Sequence, residues 1–289
     1  MKTKEVYMEK LFNIFNIALM LLLTLITITP FIHTFAKSLS EEYFVLAKKV
    51  YLIPKGFTWA SYQTVLRNVV FRSSMMNSIF LITVGTGINI IITILCAYPL
   101  SRRKSFPGQK VFMILFIFTM FFNGGIIPTY MIVKNTGLMN KLWALILPNA
   151  VNPFNLIIMK NFFMSIPDSL EEAAEIDGAS KWRCLFTIMI PLSKSAIATL
   201  SLFYAVAHWN SYFNALMYIT DRFKYPLQLY LREIIISVDS AIDGSNAENA
   251  PTLGVKSATM FISMIPILMV YPFVQKYFVK GIMVGAVKG

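Results

Sequence analysis

Residues 165–192 read SIPDSLEEAAEIDGASKWRCLFTIMIPL, the one long polar stretch with helical patterning in a chain otherwise built of apolar runs. Ser169 and Glu172 stand in capping-box register, and Glu171, Glu172 and Glu175 fall in the early turns, where a helix dipole favours anions. Gly178 is expected to end that helix, because glycine accepts the left-handed backbone of a C-terminal cap. Ser180 can then cap a second helix carrying Leu185, Phe186, Ile188 and Met189 up to Pro191. The pattern predicts helix, glycine elbow, helix. Ala173 and Ala174 present only methyl groups there, small enough for another protein's groove to close on the helix backbone.

The flanks, 142–163 and 196–219, both predict membrane spans. A structured polar pair between two spans reads either as a docking surface at the membrane face or as an ordinary solvated loop. Patterning by itself leaves both open.

Composition sets the class. Of 289 residues, 56% are hydrophobic and only 14% charged, with mean hydropathy +0.63. A soluble domain of this size needs more charge to cover its surface, so an integral membrane protein is expected. The net charge of +12 sits mostly in loops and at span ends, which suits topology signals and anionic headgroups better than nucleic acid. Cys96 lies in an expected span and Cys184 in the polar loop, which argues against a structural disulfide; His33 and His208 carry no zinc-type motif. A GxxxxGK[ST] phosphate loop is absent from the sequence, so ATP is not expected to bind this chain itself.

Six spans are expected in order, near 11–35, 75–100, 111–133, 142–163, 196–219 and 258–279. The first run exceeds a signal-peptide core and is followed by further spans, so it reads as a span starting inside. The loop 101–110, SRRKSFPGQK, holds four cations and no acid, a cytoplasmic marker that places both termini inside. External regions then fall at 37–72, with short helices, and at 221–256, with a flexible-looking DGSNAENAPT core. Asn123-Gly124-Gly125 interrupts the third run, as a kink or as the start of an external segment. Pro148 and Pro153 fall in the fourth, where Pro153 frees the carbonyl of Asn149. The polar stretch 164–192 lies on the same side as the basic loop.

Within the spans, Ser201, Tyr204, His208 and Ser211 recur at three- and four-residue spacing and form one stripe, with Asn210, Tyr212 and Asn214 nearby. Asn149 and Asn152 are expected to share a face of the fourth span. Polar groups at membrane depth face a bundle interior or a wet path. Amides, hydroxyls and aromatic faces also suit a neutral sugar, so Asn149, Asn152, Tyr204, His208, Asn210 and Tyr212 are the candidates for a substrate path. The competing reading is that they bond helix to helix.

Glu172-Ala173-Ala174, three residues, Gly178, nine residues, Ile188, one residue, Ile190-Pro191 resembles the EAA loop of binding-protein-dependent ABC importer permeases. The family usually has Leu where this chain has Ile190. The ending at 277–281 and 285–289 resembles the carbohydrate-uptake branch, similar to the smaller membrane subunit of maltose-type importers. The wording SIPDSLEEAAEIDGAS and FNGGIIPTY resembles its complex-oligosaccharide members. The resemblance implies an all-α, six-span type I importer fold with cytoplasmic coupling helices, and a non-catalytic subunit in the bacterial cytoplasmic membrane. It implies a homologous second permease subunit, an external solute-binding protein, and two ATPase subunits that carry ATP and magnesium. It also implies ATPase coupling at Glu171, Glu172, Ala173, Ala174, Asp177, Gly178, Ala179 and Pro191. A non-sugar solute of the same architecture (peptide, polyamine or phosphate) is the alternative. A secondary carrier or intramembrane enzyme would need buried carboxylates or a Ser/His arrangement, for which Ser201, Ser211 and His208 are the only loose candidates.

Overall fold

Long apolar runs form helices here because a chain in lipid has to satisfy its backbone hydrogen bonds internally. The computed structural model describes residues 2–102, 107–122, 124–242 and 251–286. Arg103 and Lys104 of the basic loop, Asn123, residues 243–250 of the region 221–256 and the final residues 287–289 lie outside them. Among the described residues every regular element is helical, apart from one isolated bridge between Ser40 and Phe57.

The first helix, α1 (Lys2–Ser38), covers the expected first span. Its apolar side chains from Leu11 to Leu25 are exposed, a surface suited to lipid. The hydroxyls of Thr24, Thr27, Thr29 and Thr34 each donate to the carbonyl four residues back, at 2.6–2.9 Å, so they are satisfied without water. Short helices α2 (Glu42–Leu46) and α3 (Ala60–Arg67) follow, as expected for region 37–72.

Helix α4 (Val69–Phe80), a π-helical turn at Leu81–Gly85 and α5 (Thr86–Ser101) run on as one 33-residue apolar stretch. Beyond the basic loop come α6 (Gln109–Phe121) and α7 (Ile126–Asn135), separated at Gly125, whose φ of +87° no bulkier residue adopts easily. The expected fourth span is not one helix. It comprises α8 (Trp143–Ile146), a 3₁₀ turn at Leu147–Asn149 and α9 (Pro153–Ser165). Pro148 and Pro153 are the reason: Pro153 has no N–H for the carbonyl of Asn149, so the helix restarts there.

The polar stretch forms α10 (Asp168–Ile176), α11 (Lys181–Cys184), a π turn at Leu185–Met189 and α12 (Ile190–Leu192). Helix α13 (Lys194–Trp209) ends short of Ser211, and α14 (Phe213–Tyr218) is separate, so the fifth expected span is also broken. Within the region 221–256, α15 (Leu227–Ile242) is an amphipathic helix that precedes the DGSNAENAPT core, of which residues 243–250 lie outside the described residues. Last is α16 (Leu253–Ala286). By length and composition, Met8–Ser38 and Val69–Ser101 are each able to cross a membrane, and two further bent helix pairs pass together.

The chain divides into two units, residues 1–69 with 231–265, and residues 70–230 with 266–289. In the first, the Glu42 carboxylate accepts the N–H groups of Leu253 (2.9 Å) and Gly254 (3.1 Å) that open α16. A Cβ at Gly254 would stand 2.6 Å from Ser61 Oγ, so that approach needs glycine. In the second, one core joins α5, α9 and α13 through Ala97, Leu156, Met159, Phe163 and Leu200. Another gathers Leu81, Ile146, Ala215 and Tyr218.

Candidate functional site

The elbow forms as expected at its centre. Helix α10 ends at Ile176, and Gly178 follows with φ +80°, in the left-handed region. The N–H of Gly178 donates to the Glu175 carbonyl (3.0 Å) and that of Ala179 to Ala174 (2.8 Å), which satisfies the helix end. Nothing lies within 4 Å of where a Cβ on Gly178 would sit, so this position opens outward. Ser180 caps α11 by accepting from the Arg183 N–H at 3.3 Å. The N-terminal expectation fails. Pro167 precedes α10, Asp168 and Ser169 are already helical, and no side chain caps the helix, so the Ser169–Glu172 capping box does not form.

Exposure sorts the expected coupling residues. Glu172, Ala173, Asp177, Gly178 and Pro191 are exposed, Ala174 and Ala179 are half-buried, and Ile176 is 87% exposed. Glu171 differs. It is buried and faces the end of α5, where Tyr98 donates to its Oε1 at 2.6 Å and Arg102 Nε lies 2.6 Å from its Oε2 in an ion-pair contact. Arg102 also donates to Asp168 (2.5 Å) and to Met189 Sδ (3.1 Å), so one guanidinium touches both arms of the elbow. Lys181 approaches Glu171 (3.4 Å) and bonds Glu175. The Glu175 hydrogen bond raises the Lys181 pKa above lysine's usual value, with the Glu171 charge adding to it against an opposing effect of burial. Three acids at i, i+3 and i+7 (Asp168, Glu171, Glu175) therefore make one stripe that meets Arg102 and Lys181, with only Glu171 buried in it.

A second polar cluster is uncharged and lies where α9 restarts. Asn89 on α5 donates both amide hydrogens, to the carbonyls of Asn149 and Ala150, each at 2.9 Å. The carbonyl that Pro153 leaves without a helical partner is thus satisfied from another helix. Asn89 Oδ1 must then accept, so His208, 2.9 Å away, carries its proton on Nε2. The His208 ring fills the space above Gly85, where a Cβ would stand 2.7 Å from Nε2. Tyr204 OH accepts from the Asn152 N–H (3.1 Å), which leaves its own proton for Thr93 (2.8 Å). Asn152 in turn caps α9 by accepting from Asn155 N–H at 3.1 Å.

The six path candidates therefore separate. Tyr204 and His208 are buried and bonded between helices. Asn149 and Asn152 have exposed side chains but sit on a turn, not on one helical face, because the helix is broken between them. Asn210 is exposed beyond the end of α13 and bonds back to the Val206 carbonyl (3.0 Å). Tyr212 packs half-buried against the core that contains Ala215 and Tyr218. Ser211 falls outside α13, so the expected stripe stops at His208. Sequence reasoning missed Tyr98, Arg102, Asn89 and Thr93. Asn89 and Thr93 are spaced i, i+4 on α5, and Tyr98 stands four residues before Arg102 at the end of that helix, a signal readable as two polar pairs on an otherwise apolar run.

Comparison with known proteins fits this geometry. Residues 89–284 match the family described as binding-protein-dependent transport system inner membrane component. The chain is 44% identical over 286 residues to the polygalacturonan/rhamnogalacturonan transport system permease protein YtcP of Bacillus subtilis (strain 168), covering 97% of this chain and 99% of that one. It is 46% identical over 283 residues to protein LplC of the same organism, covering 97% and 96%. A crystal structure of a bacterial ABC transporter involved in the import of the acidic polysaccharide alginate contains a chain of TM-score 0.85 and 36% identity, covering 93% of this chain and 97% of that one. With an apolar helical body, an elbow of two short helices and a match over most of its length, the chain belongs to the binding-protein-dependent transport system inner membrane components, transport subunits rather than enzymes.

Proposed function

We propose that this chain is the permease subunit of an ATP-driven, binding-protein-dependent importer that carries oligosaccharides across the cytoplasmic membrane. The observation that carries the reading is the outward-opening elbow at Gly178, flanked by the exposed Glu172, Ala173 and Asp177. The polygalacturonan/rhamnogalacturonan transport of YtcP and the alginate import of the structural neighbour support the sugar class. In this reading the elbow is cytosolic, both termini are inside, and the chain crosses the membrane six times. A homologous second permease stands beside it, and two ATPase subunits bind ATP and magnesium, one of them receiving the Glu172–Gly178 surface. An external binding protein delivers the sugar. Asn149, Asn152, Asn210 and Tyr212 are the residues proposed to line the path, and Tyr204 and His208 hold the helices that form it.

The test uses the chain co-expressed with its partner subunits and reconstituted in vesicles. Gly178→Asn keeps a residue that tolerates the left-handed backbone, and it is expected to retain ATPase binding and uptake. Gly178→Trp places bulk on the docking surface and is expected to lose both. Equal ATPase binding and uptake in the two variants would overturn the docking role. Uptake of peptide, polyamine or phosphate, with none of galacturonate oligosaccharides, would overturn the sugar class.

A further inference from the structure

We propose that Glu171 is a positioning residue that makes the elbow and the end of α5 one rigid body, so that displacement of the elbow passes straight into α5. The proposal rests on the reading that the Glu172–Gly178 surface receives an ATPase. Helices α5 and α10 are far apart in sequence, and the chain between them passes through α6 to α9. The side-chain link is direct: Tyr98 OH to Glu171 Oε1 at 2.6 Å, and Arg102 Nε to Glu171 Oε2 at 2.6 Å.

The link is stiff because of where it sits. Side-chain exposure is 9% for Arg102 and 7% for Glu171, so separating them strands a charge in a desolvated site. Asp168, whose side chain is 69% exposed, is a weaker second partner for the same guanidinium. The Nη2 contact to Met189 Sδ (3.1 Å) brings in the π turn after α11, so Arg102 grips the elbow on both sides of Gly178. Tyr98 is itself wedged edge-on against Phe163 of α9, with ring centroids 6.2 Å apart. A hinge at this junction would be expected to have exposed, exchangeable partners. This junction has buried ones.

Spin labels at Trp182→Cys on the elbow's second arm, α11, outside the Glu172–Gly178 surface, and at Ile91→Cys on α5, both exposed positions, in a Cys96→Ala, Cys184→Ala background, read the proposal without any sugar. The sample is the assembled importer, nucleotide-free and trapped with ATP and vanadate. The distance between the labels is expected to stay the same in both states. In Glu171→Gln and in Tyr98→Phe, which keeps the ring against Phe163, trapping is expected to shift or broaden it by more than about 2 Å, the scale of a helix shift. The two changes together are expected to add nothing to either alone, as for partners in one link. A trapped-state shift of that size in the otherwise unaltered chain, or no shift in either variant, overturns the rigid link. Absence of any ATPase from the purified assembly is a different failure and removes the docking reading beneath it.

Discussion

The two polar clusters of the larger unit solve opposite problems. At the elbow, charge is buried: Glu171 and Arg102 are paired beneath a surface that is otherwise exposed. Around the restart of α9 no charge is used, and Asn89, Thr93, Tyr204 and His208 repair backbone and side-chain bonds where proline interrupts a helix. A neutral network loses less when one partner shifts, because no charge is left unpaired. A buried ion pair loses a great deal, because the remaining charge has nowhere to go. The neutral arrangement suits helices that rearrange against one another. The charged one suits a part that must not yield.

Breaking the charged cluster should therefore have the largest effect. Arg102→Leu leaves the buried Glu171 with only the half-exposed Lys181, 3.4 Å away, as a cation and should cost about 3 kcal/mol in the thermal unfolding of the purified protein. Adding Glu171→Leu should recover most of it, and no recovery would mean that packing, not charge, dominates there. In the neutral cluster, Gly85→Ala forces a methyl to within 2.7 Å of the His208 ring and should cost about 1–3 kcal/mol. His208→Ala in the same chain should relieve part of that cost, measured the same way. The smallest effect should come from Asp168→Asn, whose pair with Arg102 is mostly solvated. A loss under about 1 kcal/mol, shrinking as salt is added, is expected. A larger loss would move Asp168 into the rigid link.

What was legible in the sequence was local. The membrane class followed from composition, the elbow from Gly178 and the cap at Ser180 from spacing, because each depends on residues within a turn or two. The break in the fourth span was half legible. Pro153 marked the carbonyl of Asn149 as unpaired, but its partner, Asn89, lies 60 residues earlier. The glutamates show the same limit. EAA spacing singles out Glu172, yet the buried member is Glu171, because burial is decided by Tyr98 and Arg102 on another helix. The capping box was misread for a local reason as well: Pro167 stands at the N-cap, so α10 begins at Asp168 and Ser169 is already inside the helix. Helix α15 was hidden by the charged residues on it, whose polar face resembled a loop while Ile234 and Val238 lay on the buried face.

The threonines of α1 carry a consequence for whatever lies alongside that helix. Between residues 24 and 34 all four hydroxyls are turned back onto carbonyls of their own helix. A neighbour along residues 17–29 meets methyl groups and hydrocarbon, short of His33, whose ring bonds the Tyr51 carbonyl. Such a flank offers packing contacts to lipid or to another helix but no polar group that would pin one position along it.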